Sequence, residues 1–106
     1  MIAATTGTSA DTYAPDGIDG DIHTVLWPVH SGLLRYSGFD VIEPFIAHMP
    51  GRVGPEVRQR YLDDYRTRLF DIAHAPRLFF RPAEDYGPNE RLRPGVIARF
   101  GVQRNV

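Results

Sequence analysis

Thr5, Thr6 and Gly7 are the first residues in the chain whose types could do chemistry together. Two hydroxyls offer hydrogen bonds, and a residue without a Cβ lets the backbone approach a flat ring closely. A helix start at Asp21 follows the same loop, which suits a bound cofactor. On spacing alone an ordinary strand-to-helix loop explains these residues as well. In that reading Tyr13 is a loop tyrosine packed on the core, and Asp19 caps the next helix. The four histidines, His23, His30, His48 and His74, show no HExxH or other paired-ligand spacing. Surface or satisfied-core roles suit them better than metal binding. There is no Ser-His-Asp elbow and no Walker or Rossmann glycine motif. The absence of cysteine rules out disulfides, thiolate metal sites and a cysteine nucleophile, and fits a cytosolic protein.

The elements that must position this loop follow from periodicity. Met1 to Thr6 is apolar and then β-branched, which suits the end of a strand. Gly7 to Gly20 has loop composition. Ile22, Val25, Leu26, Val29, Leu33 and Tyr36 recur at helical spacing, so Asp21 to Ser37 is expected to be an amphipathic helix. Asp19 or Asp21 can cap it, Gly38 can end it, and Pro28 should bend or split it. Phe39 to Phe45 reads as a strand, ending at Pro44 or lying at a sheet edge. Met49 to Gly54 is turn-rich. Pro55 to His74 is the clearest helix, with Val57, Tyr61, Leu62, Tyr65, Leu69 and Ile72 as its stripe. Glu56 with Arg60, and Asp64 with Arg68, have the spacing of ion pairs. Prolines at 76, 82, 88 and 94 prevent long helices beyond that point. Leu78-Phe79-Phe80 is a local anchor, and Val96 to Val102 could form a short strand. Residues 1–74 and a proline-rich 75–106 extension are the expected divisions.

Composition narrows the function classes. The chain has 106 residues, 42% of them hydrophobic, with a formal net charge of -1. That is enough for one modest core, hiding about 65% of the unfolded surface. The near-neutral charge gives no overall attraction to nucleic acid or anionic lipid. No apolar run approaches a membrane span, and no secretory signal is visible. All 12 basic residues are arginine. Phosphate or carboxylate recognition would explain this, but a GC-rich genome is the stronger reading.

The order of strand end, loop, helix, strand, helix and tail is an α/β pattern with parallel-sheet logic. It is too short to supply the sheet that its helices need to cover. Ligands of open α/β sheets bind beyond the carboxyl ends of the strands, where the Thr5 loop begins.

Longer matching is more specific. Thr5-Thr6-Gly7, Tyr13, Gly17-Ile18-Asp19-Gly20-Asp21, Leu26-Trp27-Pro28, Ser31-Gly32, Gly38-Phe39 and Glu43-Pro44 stand in one register. In that register the chain resembles the flavodoxin-like NAD(P)H:quinone oxidoreductases of the DT-diaphorase type, without gaps from about Ile2 to Leu69 and loosely thereafter. The resemblance implies the carboxyl-terminal part of a flavodoxin-like doubly wound parallel sheet, incomplete without an amino-terminal half. It implies FAD (or FMN), NAD(P)H as co-substrate, a quinone acceptor, a homodimer, and a cytoplasmic setting without membrane insertion.

By the same resemblance, Thr5, Thr6, Gly7 and Thr8 lie against the flavin ring, with Thr8 standing where the family often has a second glycine. Tyr13 and Asp19 occupy the positions of a catalytic tyrosine–histidine relay, with Asp19 in place of the histidine. Tyr36 lines the substrate cleft. Arg58 and Leu62 lie near the ADP end of the cofactor, and Pro50 replaces a bulkier aliphatic residue there. A carboxylate cannot offset negative charge on a reduced ring as an imidazolium can, so the relay is the main point of departure. The expected reasons for the missing half are a truncated reductase, a split gene with a complementing partner, or an inactive remnant. The Met1-Ile2-Ala3-Ala4 start inside a strand fits truncation best. A non-catalytic ancillary subunit of the same family is the competing expectation.

Overall fold

The computed structural model describes residues 1–97. Strand β1 spans Ala3–Thr6 and strand β2 spans Phe45–His48, and they pair in parallel with Thr6 opposite His48. Phe45 N–H donates to the Ile2 carbonyl and Met49 N–H to the Thr6 carbonyl, each at 2.9 Å. Alternation along a strand then turns the amides of Ala3 and Thr5 toward the other edge of β1. No described strand covers that edge.

Helix α1 spans Ile22–Val29 and begins at Asp21, whose Oδ1 accepts from His23 N–H at 2.9 Å and Thr24 N–H at 3.3 Å. Asp19 is therefore not the cap. Pro28 has no N–H for the carbonyl four residues back, and the helix widens directly afterwards into a π-helical segment, His30–Arg35. Gly38, at φ 89°, closes the segment, with Gly38 N–H bonded to Arg35 O and Phe39 N–H to Leu34 O. The expected disturbance at Pro28 takes the form of this α-to-π change, and the expected stop at Gly38 is present.

The second strand starts later than its composition suggests. Residues 39–44 make only an isolated bridge, and β2 begins at Phe45, directly after Pro44. Proline cannot donate into a ladder, so it marks the entry rather than the end of the strand. Helix α2 spans Pro55–Phe70, and a separate turn at Ile72–His74 takes the rest of the expected helix. It runs back along β2: the Tyr61 hydroxyl donates to His48 O at 2.8 Å, Tyr65 stacks near Phe45 with centroids 5.1 Å apart, and Arg68 donates to Glu43 O at 2.8 Å. Neither expected helix ion pair is among the salt bridges. Arg68 is used on the Glu43 carbonyl instead, a partner that fixes the helix to the sheet.

Beyond α2 the chain returns as a strap. Glu43 N–H donates to Pro76 O, Leu78 N–H donates to Val41 O, and Phe80 packs against Trp27 with centroids 5.4 Å apart. The Leu78 anchor is thus real. Of the expected strand from Val96 to Val102, only Val96 and Ile97 are described, and neither is in a strand.

The buried apolar set among the described residues is small: Trp27, Val41, Ala47 and Leu78. Leu62 and Leu69 of the α2 stripe are exposed, and so are Tyr36, Phe39 and Phe70. The radius of gyration is 16.1 Å, against about 13 Å for a compact domain of this length. Among the described residues the helix stripes are covered only in part.

His30 is fully buried, and neither ring nitrogen has a hydrogen-bond partner among the described residues. Burial holds its pKa below the usual histidine value, and the neighbouring His23 and the amino-terminal ammonium add to the effect. The folded chain keeps the neutral ring, whereas the unfolded chain takes up a proton as pH falls through about 6.5. This contribution to stability is complete above that pH and is lost progressively below it. The variant His30→Gln should show a flatter decline in urea midpoint between neutral and mildly acid pH; an unchanged decline would contradict the assignment. Asp21→Ala should cost about 1 kcal/mol through loss of the cap. Asp19→Ala should cost about 0.5 kcal/mol or less in the same denaturation, as for an ordinary surface site.

Candidate functional site

The carboxyl ends of β1 and β2 lie side by side, and the loop from Gly7 rises from the first of them. Thr6 Oγ1 donates to Thr8 O at 2.8 Å and lies 2.8 Å from His48 Nδ1 across the strand pair. The Thr8 hydroxyl meets that of Thr12 at 2.7 Å, and Thr12 Oγ1 donates to Ser9 O. These bonds fold the loop onto a 3-10 turn, Ala10–Tyr13, and Asp19 N–H donates back to Thr12 O at 2.9 Å. Gly17 permits this closure. A Cβ there would stand 2.4 Å from the carbonyl oxygens of Asp11 and Thr12.

Gly7 is the opposite case. A Cβ at Gly7 would meet nothing within 4 Å, and the residue is exposed. The backbone N–H groups of Gly7 and Thr8 donate to no acceptor among the described residues. An open backbone with two uncommitted donors therefore lies just past β1.

The sequence-expected residues divide into three groups. Thr6, Thr8 and Tyr13 share the strand-end cluster, with the Tyr13 ring 6.1 Å from that of His48. Thr5 and Leu62 share a groove of about 510 Å³ between the sheet and α2, lined also by Ala3, Phe45, Ala47, Tyr61 and Tyr65. Leu62 is 61% exposed, so its expected core role does not hold among the described residues. Arg58 lies one turn before Leu62 on α2. Its Nη1 donates to Val53 O at 2.6 Å and Pro50 O at 3.3 Å, bracing the turn after β2 while the side chain stays exposed.

Asp19 and Tyr36 stand apart from these groups. The Asp19 carboxylate is exposed and makes no hydrogen bond among the described residues, and Tyr36 is 80% exposed at the end of the π-helical segment. The residue that sequence reasoning set aside is His48. Its place beside Thr6 and Tyr13 depends on strand register, which no local motif encodes; the only hint was a polar aromatic at the end of an apolar strand. Among the described residues no group of three or more acidic or histidine side chains is placed to hold a metal, and no helix is long and apolar enough to cross a membrane.

The order of elements, the parallel pair and the open strand-end loop can be set beside known proteins. NAD(P)H dehydrogenase (quinone) 1 of Rattus norvegicus is 34% identical over 103 residues, covering 97% of this chain and 37% of that protein. Over nearly its whole length the chain is similar to NAD(P)H:quinone oxidoreductases. The ribosyldihydronicotinamide dehydrogenase (quinone) of Homo sapiens is 33% identical over 72 residues, covering 68% of this chain and 31% of that one. A candidate quinone reductase from Klebsiella pneumoniae of known structure superposes with a TM-score of 0.81 at 29% identity, over 87% of this chain and 37% of that one. No protein-family profile matches the chain. The two-stranded parallel sheet with its helices is thus α/β structure of the flavodoxin-like kind. The chain spans about a third of the length of the curated relatives it matches.

The open space at Gly7 and the tight space at Gly17 make opposite demands. Gly17→Ala should destabilise the loop, whereas Gly7→Val should leave far-UV circular dichroism unchanged and the free energy of unfolding in urea within about 0.5 kcal/mol of its original value. A large loss of stability in Gly7→Val would mean that this backbone is not open.

Proposed function

We propose that this chain forms one wall of a flavin site in an NAD(P)H:quinone reductase. The carrying observation is the open Gly7 backbone with the uncommitted Gly7 and Thr8 N–H groups at the carboxyl end of β1. Such a surface fits one edge of a flat, hydrogen-bonding ring better than a chain-like ligand. When bound, the flavin (FAD or FMN) supplies a ring that takes two electrons as hydride from NAD(P)H and passes them to a quinone.

The protein's own residues supply position and electrostatics. Gly7 admits the ring to van der Waals distance. The Gly7 and Thr8 N–H groups, with the exposed Thr5 hydroxyl, aim donors at the rim where negative charge develops. The Thr8 side chain, held by Thr12, is turned into the loop and leaves that rim accessible. Tyr13, half-buried beside His48, limits water at this end and carries a phenol. The exposed Arg58 guanidinium is available to the cofactor's phosphates, Leu62 to its apolar end, and the exposed Tyr36 ring to the quinone. Asp19 has the relay position of the family, but its carboxylate makes no hydrogen bond among the described residues, so the reading gives it no proton step.

The groove shared by Thr5 and Leu62, the open edge of β1 and the exposed stripe of α2 require a covering body. An amino-terminal half that completes the sheet, within a cytoplasmic homodimer, is the assembly this reading calls for. The same exposed faces, with the uncommitted Asp19 carboxylate, favour a second reading as a non-catalytic docking subunit of the family.

The test is to co-express the chain with the amino-terminal half of one of the relatives it matches. Flavin absorbance in the purified complex and quinone-dependent oxidation of NAD(P)H are expected, and Gly7→Val should lose the flavin while keeping the complex. A stable complex that binds no flavin would rule the reductase reading out in favour of the docking subunit.

A further inference from the structure

We propose that His48 holds and exchanges the proton that quinone reduction needs at this site, with its ring oriented by Thr6 and flanked by Tyr13. The proposal rests on the reductase reading above. Its geometry is independent of that reading.

The Thr6 hydroxyl decides where the protons lie. Its hydroxyl has one hydrogen, and its oxygen lies 2.8 Å from two atoms, the Thr8 carbonyl oxygen and His48 Nδ1. A carbonyl oxygen can only accept, so the hydroxyl proton goes to Thr8. The oxygen must then accept from His48, and Nδ1 carries the hydrogen. This fixes the tautomer: in the neutral ring Nε2 holds the lone pair, and Nε2 is the nitrogen that gains or loses a proton. The backbone of His48 is held as well, since Tyr61 of α2 donates to its carbonyl at 2.8 Å. The titratable groups placed against this residue are Tyr13, from the 3-10 turn, and Tyr61, from α2. No carboxylate or arginine forms an ion pair with the ring among the described residues.

This is the arrangement of an oriented proton carrier: a histidine whose inner nitrogen is committed and whose outer nitrogen exchanges. Reduction of a quinone by NAD(P)H consumes one proton along with the hydride. The hydride brings both electrons and one hydrogen. His48 in its imidazolium form breaks its Nε2–H bond and delivers that proton to a quinone oxygen, where an O–H bond forms. The products are NAD(P)+, a hydroquinone and neutral His48, which regains its proton from water. A histidine on β2 thus does work that Asp19 cannot do from the loop.

Two measurements test this. In the chain as it stands, nitrogen-15 NMR of the His48 ring should show the Nδ1–H tautomer. Thr6→Val should shift it to Nε2–H, and Thr6→Ser should restore it. An Nε2–H ring in the unaltered chain overturns the proposal. In the flavin-loaded complex, His48→Gln should keep its flavin but lose about 100-fold in quinone reduction, with the pH dependence of that step flattened. Flavin bound and turnover intact in His48→Gln, with the same pH profile, overturns the role of His48 alone. A completed protein that binds no flavin overturns the reductase reading and this proposal with it.

Discussion

Parallel pairing of β1 with β2 is the constraint from which the rest of the molecule follows. Two parallel strands cannot be joined by a tight turn, so the chain must leave one end of the sheet and return to the other. The crossover takes the form of loop, α1 and π-helical segment. It brings the carboxyl ends of both strands together, and with them the Gly7 loop and the turn after His48. The register then decides chemistry. Because Thr6 pairs with His48, a hydroxyl and an imidazole far apart in sequence project from the same face of the sheet and meet. A slip of one residue would send one of them to the opposite face.

The same pairing explains why the chain buries so little. Two strands offer too narrow a sheet to cover two helices, and only four apolar side chains are buried among the described residues. The strap at Pro76–Leu78 closes one side, and Phe80 covers Trp27. Nothing described closes the other side, where Ala3, Thr5 and Leu62 line the groove. Burial of an exposed leucine or phenylalanine is worth about 2 kcal/mol, so the uncovered faces of α2 and β1 represent a large unused driving force for association.

Much of this was legible in the residues because local chemistry dictates it. A proline inside a helix must disturb the ladder, as Pro28 does, and a glycine after a helix readily takes the left-handed turn, as Gly38 does. The errors share a cause. The apolar run at Phe39 to Phe45 looked like a strand, but Pro44 delays pairing until the chain is past it. Arg68 matched Asp64 in spacing, but a backbone carbonyl on the neighbouring strand was the better acceptor. Leu62 fitted the stripe, but its covering surface is not among the described residues. For the site, the loop residues could be named from order alone, whereas His48 could not. Its partners lie on another strand and in another turn, and only three-dimensional register joins them.

The single hydrogen of the Thr6 hydroxyl gives the loop a lever on the ring beyond it. As long as the Thr8 carbonyl takes that hydrogen, the imidazole keeps its own on the inner nitrogen. A movement of the loop that withdrew this carbonyl would free the hydroxyl to rotate and donate to the ring instead. The imidazole would then hold its hydrogen on the outer nitrogen and its lone pair inside. A displacement of one peptide group would thereby reverse the polarity of a side chain on the next strand, with no change in the fold.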